Sequence, residues 1–62
     1  MQRPTPEEIR NARHAAKMTL KKAAETLDIS IKTWQKYEAG TLSMHPVFFE
    51  YFLIKTGQKT LD

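Results

Sequence analysis

This 62-residue chain is predicted to belong to the all-α fold class. Apolar residues recur at helical spacing in several short stretches, a hydroxyl or a proline stands at the head of each, and no alternating run is long enough to make a convincing strand. Short connections then give a compact four-helix arrangement, with a fifth helix as the alternative, containing a helix-turn-helix. A chain of this length buries only about 60% of its unfolded surface and cannot divide that between two cores, so residues 1–62 read as one domain.

The first helix is expected to open at Thr5 or Pro6. Proline suits a first turn, and Thr5 with Glu8 makes a capping-box pattern, while Glu7 and Glu8 complement the positive helix start. Ile9, Ala12 and Ala16 line one side of a helix that should run to about Lys17. Thr19 caps the second helix with Lys22 in place of the acid, so only half of the box is present. Leu20, Ala23, Ala24 and Leu27 form its apolar face, and it should end near Leu27. Asp28 then falls at a corner where a left-handed residue is expected.

Ser30 can cap a third helix, Ile31 to about Ala39, with Trp34 and Tyr37 inward and Gly40 as the left-handed stop. The helix-turn-helix thus covers about residues 19–40, with small Ala24 allowing close approach and Trp34 supplying apolar area. Thr41 to His45 reads as a loop. Pro46 fits the first turn of a fourth helix of about residues 46–56, ended by Gly57, with Gln58 to Asp62 as a frayed tail.

Net charge is +3, and its distribution says more than its size. Between Arg10 and Lys36 lie seven basic residues, Arg10, Arg13, Lys17, Lys21, Lys22, Lys32 and Lys36, against the acidic Glu25 and Asp28. Such a footprint suits a polyanionic partner. With no cysteine, neither disulfides nor thiolate metal sites are available, and His14 and His45 lie far apart without neighbouring ligands, so no metal and no cofactor is expected. No clustered carboxylates, Gly-rich phosphate loop or Ser/His/Asp constellation points to an enzyme. Val47 to Ile54, interrupted by Glu50, is far short of the roughly 20 residues of a membrane span, and no apolar signal region follows Met1, so the expected location is cytoplasmic with no membrane partner.

Ala24, Ile29, Ser30, Trp34, Glu38 and Gly40, at their mutual spacing, resemble the pattern of the Cro/C1-type helix-turn-helix family of phage repressors and their bacterial relatives. The resemblance covers about residues 7–56 and implies a lambda-repressor-like domain. Leu20 stands where family members often carry a phosphate-clamping glutamine, Asp28 where the turn glycine is usual, and Ser43 and Met44 where the loop is often basic. The resemblance implies a sequence-specific regulator of a double-stranded DNA operator, a repressor by family habit, with the third helix in the major groove and the second crossing the backbone.

In such a fold the outward residues of the third helix are Ile31, Lys32, Gln35 and Lys36. Gln35 can pair with adenine, and Lys32 and Lys36 can donate to guanine or touch phosphate only; Ile31 can meet a thymine methyl or fold back over Leu27 or Ile29. Expected phosphate contacts are Arg10, Lys17, Thr19, Lys21, Ser30, Thr33, Thr41 and Ser43. The resemblance further implies an ion pair between Arg13 and Glu38.

The fourth helix is apolar nearly all round, and a core this small covers one stripe of it. A homodimer would use the remainder, with Phe49 and Leu53 towards the partner and Phe48, Tyr51 and Phe52 towards Trp34, although spacing alone leaves these sets exchangeable. The competing reading is a protein-interaction module, such as an antitoxin or adaptor, that uses this helix on another protein.

Overall fold

A computed structural model describes residues 2–60, which contain four α-helices and no strand. They are α1 (Pro6–Ala15), α2 (Leu20–Thr26), α3 (Ile31–Ala39) and α4 (Pro46–Lys55). The helix starts follow from local chemistry. Thr5 Oγ1 accepts from the Glu8 N–H at 3.1 Å while Glu8 Oε1 accepts from the Thr5 N–H at 2.8 Å, the reciprocal capping box. Thr19 and Ser30 cap α2 and α3 by accepting from the Lys22 and Thr33 N–H groups, each at 3.1 Å. His45 caps α4 through Nδ1, which accepts from the Val47 N–H at 3.0 Å.

All four helices end with the same device. A left-handed residue at Lys17 (φ 57°), Asp28 (φ 56°), Gly40 (φ 84°) or Gly57 (φ 79°) turns the chain. The next N–H then reaches back five residues: Met18 to Arg13 O at 3.2 Å, Ile29 to Ala24 O at 3.0 Å, Thr41 to Lys36 O at 3.1 Å and Gln58 to Leu53 O at 2.8 Å. This bond satisfies a carbonyl the helix itself cannot. It also explains why α1 stops at Ala15, with its cap at Ala16, rather than at Lys17. At Gly40 an added Cβ would lie 3.3 Å from Pro6 Cγ, so close approach as well as φ calls for glycine there.

The helix α3 packs on both α1 and α2. The core between them consists of Ile9 and Ala12 from α1, Ala23 and Ala24 from α2, Trp34 and Tyr37 from α3, Phe52 from α4, and Met44 from the preceding loop. Trp34 and Phe52 are fully buried, their rings tilted by 48° with centroids 5.0 Å apart, a favourable aromatic geometry. Met44 and Phe49 stand at the N′ and N4 positions of α4, the spacing of a hydrophobic staple, and both belong to the core cluster.

The apolar sets of α4 are largely exchanged relative to expectation. Phe52 faces Trp34 as expected, but Phe49 and Leu53 pack against the chain's own core, while Phe48 and Tyr51 are about half exposed, at 51% and 47%. Phe49 and Leu53 share the Phe52 side of the helix, which places Phe48, Tyr51 and Val47 outward. The expected frayed tail is tied down through its first part. Gln58 Nε2 donates to Ala12 O at 3.1 Å and to Thr56 Oγ1 at 2.8 Å, and Lys59 pairs with Glu50. Leu61 and Asp62 lie outside the described residues.

Candidate nucleic-acid interface

On α3 the inward and outward residues separate by angle. At about 100° per residue, Ile31, Gln35, Ala39, Lys32 and Lys36 fall on a continuous arc of about 140°. All five are exposed, whereas Trp34 and Tyr37 on the opposite side are buried and Thr33 and Glu38 lie at the flanks. Gln35 stands near the middle of the outward arc, with Lys32 and Lys36 on one side and Ile31 on the other. Ile31 is 40% exposed and is not among the half-buried residues packed on the core, whereas Leu27 and Ile29 are. Its side chain therefore leaves the core to those two neighbours.

Four of the hydroxyl residues, Thr19, Ser30, Thr33 and Thr41, are already engaged within the chain. Thr19 and Ser30 are caps, Ser30 Oγ and Thr33 Oγ1 share a hydrogen bond of 2.9 Å, and Thr41 Oγ1 donates to Lys36 O at 3.4 Å. Each hydroxyl can still offer a further hydrogen-bonding position to a phosphate oxygen. Lys17 is exposed at the left-handed corner before α2, Lys21 is exposed on α2, and Ser43 is exposed in the loop before α4. Lys22, left out of the phosphate set by sequence reasoning, is equally exposed in the first turn of α2. Its basic character alone was the available signal.

Arg10 is engaged with the end of α3 while its side chain stays 46% exposed. Its Nη2 donates to the Glu38 carbonyl oxygen at 3.2 Å and its Nε lies 3.9 Å from the Glu38 carboxylate, so it braces α1 against the end of α3. The Arg13–Glu38 pair is two-pronged: Arg13 Nε donates to Oε2 at 2.6 Å and Nη2 to Oε1 at 3.2 Å. Arg13 Nη1 also donates to Met18 O at 3.2 Å. The Trp34 indole N–H completes the cluster by donating to Glu38 Oε2, a contact the sequence pattern did not disclose. Partial burial pushes the Glu38 carboxyl upward, but hydrogen bonds from Arg13 and Trp34, and the charges of Arg13 and Arg10, outweigh it and hold the group below its ordinary value.

The exposed arc is thereby mounted on a braced helix. Its inward side is locked by Trp34, and its end is tied to α1 by charge-assisted bonds. Among the described residues no pocket opens and no group of three or more His, Asp or Glu side chains gathers to hold a metal ion. Nor is any described helix long and apolar enough to cross a membrane.

No protein-family model matches this chain. Over 54 residues, 87% of its length, it is 35% identical to the Type II methyltransferase M.MspI of Moraxella sp. The chain spans about 13% of the length of that relative.

Proposed function

We propose that this chain is a non-enzymatic, sequence-specific binder of double-stranded DNA that regulates transcription from the cytoplasm. In this reading α3 enters the major groove and α2 crosses the phosphate backbone. The observation that carries it is the exposed arc of Ile31, Lys32, Gln35 and Lys36 on a helix whose other side is locked into the core. A glutamine with two lysines on one side of it offers the donors and acceptors that base edges require, and Lys17, Lys21 and Lys22 extend the positive surface for phosphates. The likeness to part of a Type II methyltransferase is compatible with such a module working within, or beside, a larger protein. Methyl transfer is not ascribed to a chain matching 13% of that relative.

The regulator is further proposed to be a repressor that binds as a homodimer. Support for the homodimer comes from the outward side of α4, where Val47, Phe48 and Tyr51 are 55%, 51% and 47% exposed. The same exposure favours the second reading, an interaction module whose α4 covers another protein.

Selection of bound duplexes from a random pool, followed by salt-dependent mobility shifts, tests the first reading. The result expected is an enriched site with two related half-sites about 34–36 Å apart, bound more weakly as salt rises. Gln35→Ala should relax one base position, and Lys32→Ala and Lys36→Ala should weaken binding. Failure to enrich any duplex, with tight binding to a protein through α4, would install the second reading.

A further inference from the structure

We infer that Ile31 is a reader of the pyrimidine C5-methyl group, so that the chain's affinity for its site depends on whether one base per half-site carries that methyl. The inference rests on the DNA-binding reading above. Ile31 is the first residue of α3, and the N-terminal residues of a recognition helix are those that contact base edges. It lies on the same outward arc as Lys32 and Gln35 and is 40% exposed. The three long polar residues of that arc, Lys32, Gln35 and Lys36, all carry hydrogen-bonding groups. Ile31 carries none and gains only by burying its aliphatic end.

In the major groove the base-edge group that offers apolar surface is the C5-methyl of a pyrimidine; N7, O6, O4, N6 and N4 are all hydrogen-bonding atoms. Against a phosphate or a bare polar edge, an isoleucine would displace water and return nothing. The side chain is also well prepared for the contact. Branching at Cβ restricts its first torsion within a helix, so little freedom is lost on docking. Ser30, hydrogen-bonded at 3.1 Å to the Thr33 N–H, fixes the turn from which Ile31 projects.

An aliphatic side chain senses the methyl and not the exocyclic group beside it. Thymine and 5-methylcytosine therefore look alike to Ile31 at C5, and uracil and cytosine both look empty. The position read in this way responds to a chemical mark on the DNA as well as to its sequence.

The test uses the full chain and the duplex selected above. Each thymine is replaced in turn by deoxyuracil and each cytosine by 5-methylcytosine, and affinity is measured by fluorescence anisotropy. If the site places thymine at Ile31, one thymine in each half-site should be sensitive, and replacing either one by deoxyuracil should weaken binding about four-fold, the effect of one buried methyl-sized group. If the site places cytosine there, methylating the corresponding cytosine of either half-site should strengthen binding by a similar factor. Ile31→Ala should bind the methyl-bearing site more weakly and bring the ratio between methyl-bearing and methyl-free sites close to one; Ile31→Val should retain part of that ratio. Site-specific binding that no methyl deletion or addition alters overturns this inference and leaves the DNA-binding reading in place. A methyl ratio that persists in Ile31→Ala overturns it too, and absence of binding to any duplex overturns both.

Discussion

Replacing Glu38 by alanine removes the carboxylate that accepts from Arg13 and Trp34, with the Arg10 guanidinium 3.9 Å away. Arg13 would keep only the Met18 carbonyl at 3.2 Å, and the Trp34 indole N–H would lose its partner inside the core. Removing one member of a buried ion pair costs about 3–5 kcal/mol, and leaving a buried donor unmet costs about 1–3 kcal/mol. The Arg13 and Glu38 side chains are 15% and 11% exposed, so water can partly re-solvate the guanidinium. A net loss of about 2–4 kcal/mol follows. A chain of 62 residues has a total stability of roughly 3–9 kcal/mol, so the loss is a large share of the total and unfolds the variant where that total lies at the low end.

Urea denaturation at neutral pH, followed by Trp34 fluorescence, measures this loss. Glu38→Gln keeps one acceptor oxygen and should lose about half as much. The pH dependence provides an independent check. The Glu38 carboxyl is held below its ordinary value of 4.5 in the folded protein. Its contribution is therefore fully present above that ordinary value and disappears as pH falls through the lower folded one. The native chain should weaken in that acidic window more steeply than Glu38→Gln. A Glu38→Ala protein within about 0.5 kcal/mol of the native chain, the range of ordinary surface substitutions, would refute the reasoning.

Two further outcomes follow from backbone and surface. Asp28 holds a left-handed conformation at φ 56°, so Asp28→Gly should raise stability by about 1 kcal/mol, read as a melting temperature higher by about 4–8 °C; an unchanged or lower value contradicts that account of the corner. Phe48→Ser with Tyr51→Ser should leave the monomer's stability almost unchanged but abolish self-association in analytical ultracentrifugation; a native chain that stays monomeric, alone and on a duplex with two half-sites, contradicts the dimer reading.

Much of the fold was legible in the sequence because its signals are local. Thr5, Thr19 and Ser30 announce helix starts by what a hydroxyl can accept one turn ahead, and the bonds at 3.1 Å bear this out. The end of α1 was less legible, because lysine carries no preference for the left-handed conformation that Lys17 adopts. Met44 lies in the loop the sequence predicts, and its burial is readable only through the staple spacing around Pro46. The Arg13–Glu38 pair came from family resemblance rather than local pattern. The Trp34 and Arg10 contacts to the same glutamate depend on how helices approach in space, and no spacing along the chain encodes that approach.

The contrast between α3 and α4 shows where pattern reading fails. In α3 polar and apolar residues alternate with the helical period, so Trp34 and Tyr37 identify the inward side and the exposed arc follows by geometry. In α4 seven of ten residues are large and apolar, and a helix that is apolar all round has no phase to read. Its orientation is set from outside, by the Trp34 ring that receives Phe52 and by the staple position that draws in Phe49. What remains outside is then Val47, Phe48 and Tyr51, with the Lys55 ammonium 5.9 Å from the Tyr51 ring centre. The helix that fixes the proposed reading surface also fixes which residues of α4 stay free: Trp34 sets both, because one side of α3 can be locked only by choosing one side of α4 to lock it.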